Sequence, residues 1–258
     1  MLQFSLLGSG SSGNAILVRS RTTMILIDNG LSFKQLSLRT AALGIALEDL
    51  NAIVVTHEHG DHVLGIGVLT RKAPVPVYMT RGTYENLPPI LGALGSVDFF
   101  EAGDTLRIGD LDVLSFSVSH DAADPVGFIV RSQGAQFGLA TDLGHASQLV
   151  KTRLAGSHAL VIESNYCPEM LRLGQYPPKI QQRIRGRHGH LSNEDMCSLL
   201  HSLLHDALQL VVLVHISEKN NTPELVTQRV RGVLKSHQAA IYLATQNGPT
   251  PLFEVTAP

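Results

Sequence analysis

Short apolar runs, separated by Gly, Asn and Asp, recur along this chain of 258 residues. Runs of this kind, with continuous or alternating apolar character, are typical of β-strands. The pattern predicts eleven strands, in the segments QFSLLG, AILVRS, TMILID, NAIVVT, VPVYMT, LDVLSFSVS, VGFIVRS, AQFGLAT, HALVIES, LQLVVLVH and AAIYLAT.

Other segments show the apolar spacing of amphipathic helices. We predict helices over residues 33–43, 62–71, 193–205 and 223–236. Ser192 or Asn193 is the expected N-cap of the third helix, because such side chains accept hydrogen bonds from free backbone N–H groups. Thr222 caps the fourth helix, and Pro223 suits its first turn.

The order of these elements predicts a mixed α/β chain. The segment RSQGAQ between two strands indicates a hairpin turn, so the sheets are at least partly antiparallel. Neither a low-complexity linker nor an internal repeat divides the sequence. We therefore predict a single domain, residues 1–258, in which helices cover two β-sheets.

Composition narrows the possible function classes. A hydrophobic content of 44% and a charged content of 16% are typical of a globular protein, and a net charge of −2 argues against coating nucleic acid by bulk charge. No apolar run reaches the roughly 20 residues that span a bilayer, and no export signal is visible. Cys167 and Cys197 form neither a disulfide framework nor a Cys-x-x-Cys pair, which predicts reduced thiols and a cytoplasmic protein.

Candidate ligands follow six of the predicted strands. They are Asp28, His57, His120, Asp142, Glu163 and His215. Ligand sites of sheet proteins gather where strands leave the core. One such histidine is easily explained as a solvated loop residue, but repetition at six strand ends indicates a shared site.

The segment THEHGDH, residues 56–62, is the densest cluster of donors. His57 and His59 can point to one side of an extended turn, while Asp61 and His62 begin the next helix and can point to a second position. Adding His120, Asp142 and His215 gives seven donors, enough for two metal sites if Asp142 bridges them. Nitrogen and oxygen donors without thiolate suit Zn²⁺, Mn²⁺ or Fe²⁺, and an open two-metal site indicates hydrolysis.

This donor pattern resembles the ligand set of the metallo-β-lactamase fold hydrolases over essentially the whole chain. The resemblance implies an αββα sandwich, with two mixed β-sheets flanked by helices, and two divalent metal ions. It implies one metal on His57, His59 and His120, a second on Asp61, His62 and His215, and Asp142 between them. Asp28 matches the buried acid that supports the metal-binding loop in that fold.

Further motifs narrow the resemblance. SGSSGN, THEHGDH, YPPKIQQRIRGRHGHLSN and HISEKNN together resemble the YycJ/WalJ-type nucleases, 5′→3′ DNA exonucleases, and the later motifs also resemble ribonuclease Z. By this resemblance His190 is the expected general acid, and Asp61 orients the attacking water or accepts its proton. The family pattern has a His-Asp pair where this chain has Tyr166 and Cys167.

Two segments are candidates for nucleic-acid contacts. The loop GSGSSGN offers Ser11, Ser12 and Asn14 to a phosphate, although it lacks the spacing of a nucleotide-binding loop and a mobile hairpin loop is the alternative. Residues 171–192 contain no acid, and the run leads directly into His190. Its predicted phosphate-contacting residues are Lys179, Arg183, Arg185 and Arg187. A solvated face is the alternative, but the chain is negative overall, which favours a basic groove.

The sequence therefore predicts a metal-dependent phosphodiesterase, most specifically a 5′→3′ DNA exonuclease in which a metal-activated hydroxide attacks phosphorus. One alternative is a hydrolase of a small thioester, lactone or β-lactam, which would have no need of the basic segment. Another is a non-catalytic metal-binding scaffold, which would be expected to lose ligands. A substrate panel distinguishes the nuclease from the first alternative, and metal analysis distinguishes it from the second.

Overall fold

The computed structural model describes residues 1–257. Its strands are β1 (Leu2–Gly8), β2 (Ala15–Arg19), β3 (Met24–Ile27), β4 (Ala52–Val54), β5 (Val77–Met79), β6 (Val97–Phe99), β7 (Thr105–Ile108), β8 (Leu111–Ser117), β9 (Val126–Ser132), β10 (Ala135–Ala140), β11 (Ala159–Glu163), β12 (Leu210–Val214), β13 (Ala240–Leu243) and β14 (Phe253–Val255). Its α-helices are α1 (Phe33–Ala42), α2 (Gly60–Val63), α3 (Ile66–Lys72), α4 (Arg81–Glu85), α5 (Gln148–Leu154), α6 (Pro168–Leu173), α7 (Pro178–Ile184), α8 (Asn193–Leu203) and α9 (Pro223–Leu234).

The strands form two sheets of seven. The order is β14-β1-β2-β3-β4-β5-β6 in the first sheet and β13-β12-β11-β10-β9-β8-β7 in the second. Strands β3 to β6 pair in parallel, as do β10 to β13, whereas the other pairings are antiparallel. Both sheets are therefore mixed, as predicted.

Strand β2 illustrates why the apolar runs are nearly continuous. Ile16 and Val18 belong to the core between the two sheets, while Leu17 belongs to the core under α1 and α3. A second helix-covered core lies on the outer face of the other sheet, where Leu199 of α8 packs with Leu213 of β12. Because each sheet buries both faces, residues that alternate along a strand pack into two different cores, one between the sheets and one under the helices. Both sets are therefore apolar. The predicted αββα sandwich is confirmed.

All eleven predicted strands are present, and three short strands, β6, β7 and β14, were not predicted. Each has only three or four residues with exposed positions among them, so its apolar pattern is weak. The one- to two-turn helices α4 to α7 were also missed, because such short segments show little periodicity. The caps hold as predicted, since Ser192 Oγ accepts from Asp195 N and Thr222 Oγ1 from Leu225 N.

The predicted helix 62–71 is wrong as one element, because the structure divides it into α2 and α3. Gly65 separates them, and its backbone N–H donates to the Asn29 carbonyl. A Cβ at Gly65 would lie 2.0 Å from the Leu31 carbonyl oxygen. The break therefore exists because the chain packs backbone against backbone here, which periodicity does not reveal.

None of the helices in residues 1–257 combines the length and apolar character that a bilayer-spanning helix requires. Cys167 and Cys197 are unpaired thiols. The predicted single domain extends to Pro258, which lies outside the described residues, and this division stays a prediction.

Candidate metal centre

The predicted donors converge at one edge of the sandwich. Parallel pairing brings the carboxyl ends of β3 and β4 together in one sheet and those of β10, β11 and β12 together in the other. The sheets meet at this edge, where Val126 N donates to the Thr56 carbonyl over 3.0 Å. The strand-end residues of both sheets therefore face one another.

Three of the strand-end residues have left-handed backbone conformations. The φ angles of Asp28, Asp142 and His215 are +59°, +53° and +53°. This region costs a non-glycine residue about 1–3 kcal/mol, and such strain persists where the surrounding structure fixes it for a purpose. Asp142 and His215 belong to the groups of possible metal ligands, whereas Asp28 supports one of those ligands, His62, through its carboxylate.

The first group of donors consists of His57, His59 and His120, with donor atoms within 4.8 Å of one another. His59 Nδ1 lies 3.2 Å from His120 Nε2, and the ring centroids of His57 and His120 are 5.0 Å apart. His57 and His120 are buried and His59 is half-buried. The rings leave room for one cation among them.

The second group consists of Asp61, His62 and His215, again within 4.8 Å. Asp61 Oδ2 lies 3.6 Å from both His62 Nε2 and His215 Nε2. Asp142 is buried between the groups: its Oδ2 is 3.3 Å from His62 Nε2 and its Oδ1 is 3.6 Å from His215 Nε2. Asp142 also groups with His57 and His62, which is the position that a bridging ligand needs.

Outer hydrogen bonds orient three of the histidine rings. His62 Nδ1 donates to Asp28 Oδ2 over 2.8 Å, and His120 Nδ1 donates to the Gly189 carbonyl over 3.1 Å. His215 Nδ1 donates to Glu163 Oε1 over 3.1 Å. When Nδ1 carries the proton, Nε2 keeps its lone pair, so each bond presents Nε2 to the centre as a metal ligand.

The donor set fits metal ions. Within residues 1–257, the buried Nε2 atoms of His57 and His215 have no hydrogen-bond partner. Buried polar atoms are normally satisfied, and an unpaired one requires an explanation such as a missing ligand. Two orphaned nitrogens, both aimed into a cluster of carboxylates and imidazoles, are explained by two divalent cations.

The close packing of imidazoles and carboxylates in the cluster shifts the pKa values of its histidines. Burial, together with the neighbouring His62, lowers the pKa of His57 well below its usual range. Burial also disfavours protonation of His62 and His215, but Asp142 above all outweighs it and raises the pKa of both well above the usual range. Metal binding to Nε2 of either histidine would therefore compete with protonation of that imidazole.

Glu163 is the site residue whose role the sequence left unassigned, although the strand-end pattern contains it. Its carboxylate is fully buried: Oε1 accepts from His190 Nδ1 over 2.7 Å, and Oε2 accepts from the backbone N–H groups of Leu143 and Leu191. Burial opposes protonation of His190, but Glu163 outweighs burial and raises the pKa of His190. Glu163 thus fixes both His190 and His215.

Thr56 and Asn165 were also missed. Thr56 Oγ1 donates to Asp28 Oδ2 over 2.7 Å and lies 2.9 Å from His57 Nδ1, and Asn165 Nδ2 donates to the His215 carbonyl over 2.8 Å. Thr56 directly precedes His57, and Asn165 lies two residues after the end of β11. Threonine and asparagine are not typical metal ligands, so neither residue carries a metal-binding signal in sequence.

The loop that contains the predicted phosphate-binding residues borders the centre. Asn14 is buried, and its Nδ2 lies 3.0 Å from both Asp61 Oδ2 and His62 Nε2, so it supports these donors directly. Ser11 and Ser12 are exposed at the loop tip. At its other end, Ser9 Oγ accepts from His215 N over 2.9 Å. The loop is therefore held on both sides of the second donor group.

The basic segment also reaches the centre, and its predicted phosphate-contacting residues are exposed: Lys179, Arg183, Arg185 and Arg187. Arg183 Nε donates to Asp121 Oδ2 over 2.5 Å, directly beside His120. Ser119 Oγ donates to the Arg187 carbonyl over 2.8 Å. Arg185 instead lines a cavity between α6 and α7. The segment is thus a basic rim with residues that face different sides.

We expect close to two divalent metal ions per purified chain. Asp142→Ala should lower the content towards zero, because this carboxylate contacts both donor groups, whereas His215→Ala should mainly empty the second site. Elemental analysis after gel filtration measures both. Asp112→Ala, at an exposed acid on β8, is the control that should keep full metal content. Full occupancy in Asp142→Ala would contradict a bridging role.

The chain is similar in sequence to a known protein family and to individual members of it. Residues 23–216 match the family described as beta-lactamase superfamily domain. The chain is 38% identical to exodeoxyribonuclease YycJ of Bacillus anthracis over 236 residues, which cover 91% of this chain and 89% of that protein. It is 34% identical to exodeoxyribonuclease WalJ of Streptococcus pneumoniae serotype 2, strain D39, with 98% of each chain covered.

The fold is also similar to that of a solved structure, the metallo-beta-lactamase fold protein YhfI of Bacillus subtilis. The TM-score is 0.73, and the match covers 97% of this chain and 99% of that one. Sequence identity is only 13%, so this similarity concerns the fold alone.

Proposed function

This chain belongs to the beta-lactamase superfamily and, within it, to the family of the exodeoxyribonucleases YycJ and WalJ, and from this membership we propose that it is a metal-dependent nuclease that degrades DNA from the 5′ end. The cleaved bond is a phosphodiester, and water is the second substrate. We place this activity in the cytoplasm, in keeping with the two unpaired thiols.

One observation carries the proposal: the basic rim is attached directly to the metal centre. The His120 ring donates to the Gly189 carbonyl, and the next residue along the chain, His190, bonds to Glu163. A polyanionic strand that follows the rim by its phosphates is thereby led to the donor cluster. A small thioester, lactone or β-lactam has no chain of phosphates that could follow such a rim, which disfavours hydrolysis of these substrates.

The chain's own residues supply binding, orientation and proton transfer. Two divalent ions, when held by the two donor groups, would activate water and neutralise charge on the phosphate oxygens. The Asp61 side chain is half-buried, so water can reach its carboxylate, which can orient that water or accept its proton. Asn14 holds that carboxylate in place through Nδ2.

His190 is the proposed general acid. Its Nδ1–H is engaged by Glu163, so the ring is held in one orientation and its other nitrogen is available to the leaving oxygen. The ring stacks on His215, with centroids 5.1 Å apart, and therefore lies directly beside the second donor group. Because the ring is already held in this orientation, it can protonate the departing 3′ oxygen without a change of rotamer.

End-labelled single- and double-stranded DNA and RNA test the proposal, with metal-depleted protein reconstituted separately with Mn²⁺ and with Zn²⁺. We expect stepwise release of mononucleotides from the 5′ end of DNA. A thioester, a lactone and a β-lactam in the same panel test the alternative. Hydrolysis of one of these compounds, without cleavage of any nucleic acid by fully metallated protein, would refute the proposal.

A further inference from the structure

A cavity of about 390 Å³ opens between α6 and α7, and of its lining only Arg185 has a role proposed above. Pockets for small ligands begin at about 300 Å³, so the volume is sufficient for a compact molecule. We call it the α6–α7 pocket. Its lining includes Tyr166, Glu169, Leu171, Arg172, Gln181 and Arg185.

The pocket lies close to the metal centre. Tyr166 is three residues beyond Glu163, and an extended segment of three residues spans at most about 10 Å. The Tyr166 carbonyl accepts from Asn193 N over 2.9 Å, and Asn165 N donates to the Leu191 carbonyl over 2.9 Å, so this segment runs beside the one that follows His190. A distance of about 10 Å is the axial rise of about three nucleotides in a DNA strand.

The floor of the pocket suits a nucleobase. Tyr166 and Leu171 are 6% and 2% exposed and present an aromatic ring and an aliphatic side chain. An apolar floor of this kind can contact any base, because every base has an apolar π-face. Burial, followed by the effect of Asp195, raises the pKa of Tyr166 to about 12, so its hydroxyl remains a neutral donor.

The walls of the pocket suit a phosphate. Arg172 and Arg185 are exposed and contribute two positive charges, against one negative charge from Glu169. Guanidinium groups bind phosphate oxygens through paired hydrogen bonds. Arg183, by contrast, is engaged by Asp121, so Arg172 and Arg185 are the arginines that face this pocket.

We propose that the α6–α7 pocket binds one nucleotide of the substrate strand, with its phosphate at Arg172 and Arg185 and its base against Tyr166. The inference rests on the proposed function and deepens it. A nucleotide held in this pocket, three residues along the chain from Glu163, would set the position of the strand relative to the donor groups. Apolar contact with the base, together with recognition of the phosphate, would accept any sequence and would favour a nucleotide over a nucleoside.

Calorimetric titration of the metallated protein with deoxyadenosine 5′-monophosphate, deoxyadenosine and inorganic phosphate tests the pocket without a need for catalysis. We expect the nucleotide to bind at least tenfold more tightly than either fragment. The double substitution R172A/R185A should weaken nucleotide binding by at least about tenfold, since each charged hydrogen bond contributes about that factor. Tyr166→Phe should weaken it a few-fold and leave the thermal melting temperature nearly unchanged.

The double substitution R107A/R131A is the matched control, because both arginines are exposed at the far end of the second sheet. It should bind the nucleotide as the wild type does. Equal nucleotide affinity in R172A/R185A and wild type, or no binding to wild type, would overturn the pocket. If one of these two results is obtained but the protein cleaves DNA, the proposed function stands and only the pocket is refuted. If the nucleotide binds through the pocket but no nucleic acid is cleaved, only the nuclease proposal is refuted.

Discussion

Asp61→Asn is expected to lower kcat for DNA cleavage by at least about 10³-fold, with the fold intact. The substitution preserves shape but removes the charge that approaches His62 and His215 at 3.6 Å. It therefore weakens the second metal site and also removes the group that orients water, and general base catalysis alone contributes about 10²- to 10⁴-fold. Initial rates on end-labelled DNA, with metal analysis of the same samples, measure both effects.

The backbone around Asp61 gives reason to expect a folded variant. The Asp61 carbonyl accepts from Asn14 N over 2.7 Å, and this bond does not involve the side chain. Asp112→Asn, at an exposed acid on β8, is the charge-matched control and should keep wild-type activity. Near-normal turnover of Asp61→Asn with two metals bound would refute the role of this carboxylate.

His190→Ala is expected to lower kcat for DNA by about 10²- to 10⁴-fold while KM changes little. The reason is that the ring acts on the leaving oxygen and not on the phosphates that provide affinity. The loss should shrink strongly for bis(p-nitrophenyl) phosphate, because p-nitrophenolate leaves without protonation. Parallel steady-state kinetics on the two substrates measure this difference.

His188→Ala provides a nearby control, since His188 is exposed and its ring is 3.3 Å from Ser119 Oγ at the rim. Its kcat should stay within a few-fold of wild type on both substrates. If His190→Ala lost the same factor on DNA and on the p-nitrophenyl ester, the ring would be a structural support of the metal centre through Glu163 and not an acid. Metal analysis of that variant would then show reduced occupancy.

The sequence by itself determined the donor cluster and the sheets that carry it. Two β-sheets buried on both faces require nearly continuous apolar strands, so each strand end stands out as the first polar residue after such a run. Asp28 and His215 are of this kind, and His57 and Asp142 come one residue later, after Thr56 and Thr141. Parallel strands end at a common edge, which is why a pattern in one dimension predicts a cluster in three.

Other features depended on contacts between residues far apart in the chain, which only the tertiary structure decided. Glu163 and His190 are 27 residues apart, and Asn14 and Asp61 are 47 apart, so no local spacing links them. The break between α2 and α3 depends on the close approach of Gly65 to a distant backbone segment. The basic run likewise forms one stripe in sequence, but in the structure Arg185 lines the α6–α7 pocket whereas Arg183 pairs with Asp121. Sequence periodicity reports which residues are buried, whereas the partner that each buried or rim side chain meets is set by how the elements pack.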